Sequence, residues 1–360
     1  MKKTGFYLGL AFLSLTLFIN CSDNDPDIAT TEDNTLYKEV LTNEAAVITA
    51  TYVDLAGKAA VLKDAIDALQ IGNDAALQTA KEAWRAAREP WELSESFLFG
   101  PVKTPEDIDA AIDSWPVDVS EINAIFNSGI PITLDVISAN EETRGFHTLE
   151  YYLWGIDGNK TASELTAREI EYLKVVALDL KNKTQYLANE WSPSGGNYSG
   201  QLINANVNNP YYRSQKDALK TLVAQMIVIA DEVGTNKIEV PLNGNLGSAK
   251  PDEEESRFSK NSLLDFADNI RSIQNLYLGS YKSAVSGKGI THVIAPLNPE
   301  LDDLVKAKII AAIEAIEAIP VSFTDAIINN RSAVENAQEK VGELSEVLEK
   351  QLTTYISDNL

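Results

Sequence analysis

The 360-residue sequence contains a single cysteine, Cys21, and only two histidines. A lone cysteine excludes an internal disulfide bond. Basic residues are also few, because 30 Lys and Arg stand against 53 Asp and Glu and give a formal net charge of −23. Such a surface repels nucleic-acid phosphates, so we expect no nucleic-acid partner. Strand patterns are scarce as well, and only residues 238–242 could form a short strand.

The N-terminus has the pattern of an export signal. Two lysines precede an apolar run over residues 6–19, which is too short for a transmembrane span. Cys21 follows at the place where a bacterial lipoprotein carries its lipid, and a diacyl anchor would hold the protein on a membrane. We predict a signal peptide at 1–20, a lipidated polar tether at 21–34, and a lipoprotein of a Gram-negative-type bacterium. It would be on the outer membrane, facing the periplasm or the cell surface. Cleavage elsewhere, leaving a free thiol, is the alternative.

From residue 35 onward, apolar residues recur at spacings of three and four, as they do along one face of a helix. One such stripe consists of Ile48, Tyr52, Leu55, Ala59, Leu62, Ile66 and Leu69. The clearest break is the Pro- and Gly-containing segment after Trp191. We therefore predict an all-α fold of two packed helical bundles, over residues 35–192 and 205–360.

The hexapeptide Gly145-Phe146-His147-Thr148-Leu149-Glu150 is the first candidate for chemistry. His147 and Glu150 are three residues apart and would lie on one helix face. An imidazole nitrogen and a carboxylate oxygen in this arrangement could bind the same metal ion. A structural histidine in the core is the alternative.

A second candidate is a tryptophan-rich helix face. It carries Trp84, Arg88, Trp91 and Glu95, which are spaced four, three and four. Its charged groups would either be held beside a packed surface or extend from a core edge into water. Pro90 interrupts this run and should kink the helix, because it removes a backbone hydrogen bond.

A third candidate is a polar stripe in the second half, made of Asn261, Asp265, Asn269 and Ser272. The ordinary interpretation is a solvated helix face. The stripe becomes functionally important if it meets His147 between the two halves of the chain.

Together these segments resemble the imelysin-like family. The hexapeptide resembles the family's Gly-x-His-x-x-Glu signature. The other matching segments are Ala83-Trp84-Arg85-Ala86-Ala87-Arg88, Trp115-Pro116-Val117-Asp118, Ser256-Arg257-Phe258-Ser259 and Leu297-Asn298-Pro299-Glu300-Leu301-Asp302. The family includes metallopeptidases, iron-regulated lipoproteins and the periplasmic component of a bacterial iron-uptake system. The resemblance implies a two-bundle fold with a site at or near the bundle interface.

The resemblance also implies a set of site residues. His147 and Glu150 would be the primary metal ligands, and Glu95, Asp118 and Asp265 are further candidates. The pocket would be lined by Trp84, Arg88, Trp91, Trp115 and Ser259. Oxygen-rich ligation with one imidazole suits a divalent or trivalent ion, iron more than zinc. We expect a role in iron acquisition or homeostasis, with iron-uptake proteins as candidate partners.

Two alternatives remain. A zinc peptidase needs three protein ligands, a general base and an open water position. This chain has no second histidine near His147, and Lys260 stands where many relatives have histidine, so catalytic residues are unknown. A metal-free lipoprotein that binds a peptide or glycan through its tryptophans is the other alternative. His292 lies outside these motifs and is expected to be structural or surface-exposed.

Overall fold

The helical periodicity of the sequence corresponds to helices in the structure, a computed structural model that describes residues 34–244 and 247–360. The predicted signal peptide and Cys21 lie outside the described residues. Within them, strands β1 (Ser280–Tyr281) and β2 (Val285–Ser286) pair as a short antiparallel hairpin, and the other regular elements are helical. The all-α prediction is confirmed.

The described residues contain sixteen α-helices. They are α1 (Thr35–Asp67), α2 (Asp74–Glu92), α3 (Ile108–Asp113), α4 (Val119–Ser128), α5 (Leu134–Ile137), α6 (Gly145–Trp154), α7 (Ala167–Trp191), α8 (Tyr198–Ile203), α9 (Gln215–Glu232), α10 (Glu239–Asn243), α11 (Ser262–Leu278), α12 (Thr291–Ile294), α13 (Pro299–Glu317), α14 (Phe323–Asn329), α15 (Arg331–Val347) and α16 (Thr353–Asn359). Short 3₁₀ turns occur at Glu95–Phe97, Gly100–Val102, Glu141–Thr143, Ala162–Glu164 and Pro251–Glu253. Helical turns of π type occur at Val233–Ile238 and Leu348–Leu352.

Local sequence signals set where the long helices begin. The Asn34 side chain accepts the Leu36 N–H and caps α1, and Asn73 caps α2 in the same way. Thr166 and Glu169 form a reciprocal capping box at the start of α7. The starts of these helices are therefore encoded in their first few residues.

Helix α1 is a core helix of the described fold. It packs against α2 and α7, and also against α8 and α9. The Tyr52 ring on α1 lies 5.5 Å from the Phe97 ring and 6.1 Å from the Trp191 ring, centroid to centroid. By length and composition α1 could cross a membrane, but half of its apolar window is buried inside the protein. That burial is what a core helix requires.

The later helices form a second packed set. Helix α13 packs against α11 and α15, and α15 packs against α9. The earlier and later helices meet where α1 contacts α9 and α2 contacts α11. Asp33–Leu360 form one compact unit, and the division into bundles at 35–192 and 205–360 stays a prediction. The contact of α2 with α11 matters for function, because it brings Arg88 to Asp265.

The short strand considered for residues 238–242 is wrong. The chain continues helically from α9 through the π turn Val233–Ile238 into α10. Pro241 has no backbone N–H to donate to a strand ladder, which disfavours a strand here. Pro90 is likewise accommodated inside α2, which continues to Glu92.

Candidate metal site

Gly145 places the start of α6 directly against the end of α3. Its φ is +83°, which glycine adopts without strain, and a Cβ atom here would lie 2.3 Å from the Ile112 carbonyl oxygen. Asp113 follows Ile112 and is the last residue of α3. The absence of a side chain at Gly145 therefore allows His147 to approach Asp113.

The buried His147 ring lies between carboxylates. Its Nδ1 is 3.3 Å from Glu150 Oε2. On the other side, Nε2 is 3.1 Å from Asp113 Oδ1 and 3.5 Å from Glu255 Oε1. Although these distances are short, Nε2 forms no hydrogen bond of adequate geometry among the described residues. His147 is thus a buried imidazole with Glu150 at one ring nitrogen and Asp113 and Glu255 at the other.

Glu150 is fixed by the segment that precedes α11. Its Oε1 accepts the backbone N–H of Ser259 at 2.7 Å, while Oε2 faces His147. The Ser259 hydroxyl donates to the Ser256 carbonyl at 3.1 Å. Ser259, predicted to line the pocket, therefore contacts the hexapeptide through its main chain. Glu150 lies at Nδ1, whereas Asp113 and Glu255 lie at Nε2.

The buried Arg88 guanidinium forms ion pairs with four carboxylates. Its Nε lies 3.3 Å from Asp265 Oδ2. Its terminal nitrogens pair with Asp113, Glu92 and Glu255. Arg88 thus joins α2, α3, α11 and the segment before α11 through a single side chain.

A second buried cation, Lys237, comes from the π turn Val233–Ile238. Its Nζ lies 3.1 Å from Glu255 Oε2, and its side chain is 6% exposed. Helical turns of π type frequently occur at functional sites, where the extra residue redirects a side chain. Glu255 is therefore bound by Lys237 and Arg88 together.

The protonation of the buried carboxyls follows their cation partners. Burial raises the pKa of Asp113, but the Arg88 charge and His147 outweigh it and bring that pKa below its ordinary value. Burial is likewise outweighed at Glu255, where Lys237, His147 and Arg88 hold the pKa well below its usual range. At Glu92 burial prevails and raises the pKa well above its ordinary value.

The balance between burial and neighbouring charges favours the protonated form of the His147 imidazole. Burial and the Arg88 charge both lower the pKa of His147. The carboxylates of Asp113, Glu150 and Glu255 outweigh them and hold this pKa well above its ordinary value. A metal ion at Nε2 would therefore have to displace a proton.

An acidic cavity of about 230 Å³ lies beside Asp113 and Glu255. Lys237 and the Trp115 ring form part of its wall. The carboxylates that line it are Glu95, Asp109, Asp113, Glu232 and Glu255. Such a wall attracts cations and repels anionic ligands.

Two sets of side chains here have the spacing of metal ligands. The first is Asp113, His147 and Glu255, and the second is Glu92, Glu95 and Asp113. Within each set, one ligand atom per residue lies within 4.8 Å of the others. Asp113 belongs to both sets.

Three of the predicted metal candidates, Glu150, Asp118 and Asp265, lie outside both sets. Asp118 caps α4, and its Oδ1 accepts the Glu121 N–H at 2.9 Å. Asp265 is held by Arg88 and by the Asn261 amide, which donates to Oδ1 at 2.6 Å. The polar stripe on α11 thus meets the predicted site through Arg88.

The predicted pocket tryptophans divide between core and site. The Trp84 indole N–H donates to the Phe146 carbonyl at 2.9 Å, and its ring packs edge-on against Trp154, so Trp84 belongs to the core. The Trp91 indole N–H donates to Asp113 Oδ2 at 2.7 Å. Trp115 packs against the His147 ring, with centroids 5.2 Å apart, and lines the cavity.

The other histidine and Lys260 are both exposed. His292 Nδ1 accepts the Gly289 N–H at 3.1 Å in a local turn, as expected for a structural or surface histidine. Lys260 has a φ of +58°.

Sequence reasoning missed four residues of this cluster. Asp113 stands two residues before the Trp-Pro turn, and Glu255 ends an acidic run that resembles a solvated surface. Glu92 follows Trp91 directly and could have been noticed as a partner for Arg88 at a spacing of four. No sequence pattern indicated Lys237, because only the π turn directs its side chain inward.

The comparisons with known proteins agree with this fold. The family model described as Imelysin, peptidase M75, matches residues 48–351. Iron-regulated protein A of Synechococcus elongatus is 28% identical over 368 residues, which cover 99% of this chain and 94% of that protein.

Solved structures give the same result. A crystal structure described as an iron-regulated protein A precursor from Parabacteroides distasonis matches with a TM-score of 0.78 at 29% identity, over 89% of this chain and 95% of that one. An imelysin-like protein from Psychrobacter arcticum matches with a TM-score of 0.69 at 15% identity, over 89% and 96%. The second likeness bears on the fold alone. Because the family model spans most of the sequence, the chain belongs to the imelysin family.

Proposed function

We propose that this protein binds a metal ion, with iron as the favoured candidate, and acts in iron acquisition or homeostasis. The ion would be held by His147 Nε2 with carboxylate oxygens of Asp113 and Glu255. The observation that carries the proposal is the buried Nε2, which lies 3.1 Å from Asp113 Oδ1 and 3.5 Å from Glu255 Oε1 beside an acidic cavity. A ring nitrogen in that setting is a ready metal ligand.

The position of Glu150 supports a role in orienting the histidine. A histidine that binds a metal through one nitrogen commonly donates its other N–H to a carboxylate, which fixes the ring and the tautomer. Glu150 Oε2 lies at Nδ1, so it is placed for that task. Direct ligation by Glu150, as the sequence suggested, is the competing arrangement.

The donor set fits a borderline or hard cation. One imidazole with carboxylate oxygens suits iron, zinc or manganese better than a thiolate-selecting metal. Arg88 and Lys237 offset part of the buried negative charge, which would otherwise be costly. An entering ion would share Asp113 and Glu255 with these two side chains.

The link to iron rests on the relatives. Those from Synechococcus elongatus and Parabacteroides distasonis are named iron-regulated protein A, which supports a related role here. The family name supports a metallopeptidase as the second candidate. However, the cavity of about 230 Å³ is smaller than the roughly 300–1,000 Å³ of ordinary ligand pockets. That size favours an ion over a peptide as its occupant.

Metal analysis of protein purified without a histidine tag tests the proposal. Wild type, His147→Ala and the matched control His292→Ala are equilibrated anaerobically with Fe²⁺ and, separately, with Zn²⁺. We expect wild type and His292→Ala to retain metal equally, while His147→Ala loses it. Equal, trivial metal in all three would overturn the proposal. Cleavage of a generic protein substrate that a chelator and His147→Ala both abolish would establish a peptidase instead.

The N-terminal pattern supports export and anchoring by a lipid on Cys21. Metabolic labelling with palmitate in a Gram-negative host tests this part. We expect label in the membrane fraction for wild type and none for Cys21→Ser. Equal labelling of the two forms would contradict lipidation at this cysteine.

A further inference from the structure

The carboxyl group of Glu95 is buried beside the acidic cavity. The residue is 5% exposed and lines the acidic cavity. Within the part of the chain that the structure describes, it forms neither a hydrogen bond nor an ion pair, because Lys237 pairs with Glu255 instead. A buried carboxylate in this state costs free energy unless a cation or a proton neutralises it.

Two other carboxylates converge on Glu95. Oxygens of Glu92 and Asp113 lie within 4.8 Å of its own. Glu92 Oε1 is buried beside Arg88 but accepts no hydrogen bond of adequate geometry from the described residues. Its Oε2 accepts the Asn269 amide, which fixes the side chain. Glu95, Asp113 and the ion-paired Glu92 therefore bring three carboxyl groups together beside the cavity.

We propose that Glu92, Glu95 and Asp113 form a second cation site, with Asp113 bridging to the ion at His147. This inference rests on the proposed function and adds a second ion to it. Its all-oxygen donor set suits a hard divalent cation such as Mn²⁺ or Fe²⁺. Two-metal sites commonly hold their ions about 3.5–4 Å apart, and a shared carboxylate achieves this spacing.

Carboxyl groups outnumber the basic side chains around the site. Six carboxyl groups surround the site, namely Glu92, Glu95, Asp113, Glu150, Glu255 and Asp265. The basic side chains paired with them are Arg88 and Lys237. The excess of carboxyl groups attracts cations, which would displace the protons that burial favours on Glu92 and Glu95.

Metal stoichiometry tests the second site directly. The exported chain, without a tag, is dialysed to equilibrium against Mn²⁺, and bound metal is measured together with the EPR spectrum. The proteins compared are wild type, Glu95→Gln, His147→Ala and Glu82→Gln, an exposed control on α2. We expect two ions per chain with spin coupling for wild type and Glu82→Gln. Glu95→Gln should hold one uncoupled ion and retain the His147 site.

The remaining outcomes separate this inference from the proposed function. One ion in wild type, lost in His147→Ala and unaffected by Glu95→Gln, overturns the second site and leaves the first intact. Two ions in both wild type and Glu95→Gln overturn the assignment to Glu95. No bound metal in wild type overturns both. The wild-type stoichiometry and EPR coupling need no variant, so a folding failure of Glu95→Gln leaves the test decisive.

Discussion

Glu150 accepts the backbone N–H of Ser259 at 2.7 Å, although the two residues are 109 positions apart. Ser259 lies four residues after Glu255, in the segment that leads into α11. The same carboxylate that holds His147 Nδ1 thus also holds the segment that delivers Glu255 to Nε2. The orientation of the ring and the position of Glu255 are mechanically linked.

The variant Glu150→Gln distinguishes the two roles considered for this residue. Gln keeps an oxygen that can accept from Ser259 but removes the charge that supports His147. If Glu150 orients the ring, metal affinity should fall by about 10–100-fold while the number of bound ions stays the same. Calorimetric titration with Zn²⁺ measures both quantities, with Glu82→Gln as the control. Loss of an ion per chain would instead identify Glu150 as a ligand.

Gly145→Ala should destabilise the protein strongly. A side chain at a left-handed φ costs on the order of 1–3 kcal/mol, and here its Cβ would also overlap the Ile112 carbonyl oxygen. Gly342→Ala is the matched control, since it lies on α15 with open space around a Cβ and should stabilise by about 0.5–1 kcal/mol. Urea denaturation measures both. A Gly145→Ala variant as stable as wild type would show that α6 can move away from α3.

Arg88→Met should make stability depend on metal. Removing one partner of a buried ion pair costs about 3–5 kcal/mol, and here four carboxylates lose the same cation. A divalent ion bound to the folded state recovers part of this loss, so added Mn²⁺ should raise the Tm of the variant. Lys350→Met removes an exposed pair with Glu346 and should change stability far less, because water screens that pair. The prediction is wrong if Arg88→Met and Lys350→Met melt alike.

Glu44, which lies outside the proposed site, should make the free energy of unfolding depend on pH. It is fully buried on α1, neither of its oxygens has a hydrogen-bond partner among the described residues, and burial raises its pKa well above the ordinary value. Because the folded state favours the protonated form, the contribution of Glu44 to the free energy of unfolding is fully present below the unfolded-state pKa of about 4.3. This contribution is lost as the pH rises towards the folded-state pKa.

Glu44→Gln removes this titration. The variant should be close to wild type in acid and gain stability relative to it as the pH rises, reaching about 1–3 kcal/mol. Chemical denaturation from acid to neutral pH, with the exposed Glu39→Gln on the same helix as control, measures the difference. Parallel pH profiles for Glu44→Gln and wild type would contradict the prediction.

The all-α fold followed from periodicity, because apolar spacing reports which face of a helix is buried. His147, Glu150 and Arg88 stood out because they lie on helices whose faces the sequence reveals. Asp118 shows the limit of a motif: its residue type and position suited ligation, yet its carboxylate is used to cap α4.

The site residues that the sequence did not reveal depend on long-range packing. Asp113 becomes important only because Gly145 lets α6 touch α3, and Glu255 only because its segment turns back to Glu150. Lys237 points inward because of one π turn, which no local periodicity announces. Contacts of this kind are set by tertiary structure and leave no spacing pattern in a single sequence.

Trp115 is placed to report metal binding through its intrinsic fluorescence. Its ring lies 5.2 Å from the imidazole and faces the cavity, and the Trp91 indole is hydrogen-bonded to Asp113. Two of the five tryptophans are therefore in direct contact with the proposed ligands. A paramagnetic ion arriving there should quench part of the intrinsic emission, so that occupancy can be followed by fluorescence, without a label, as the ion enters and leaves.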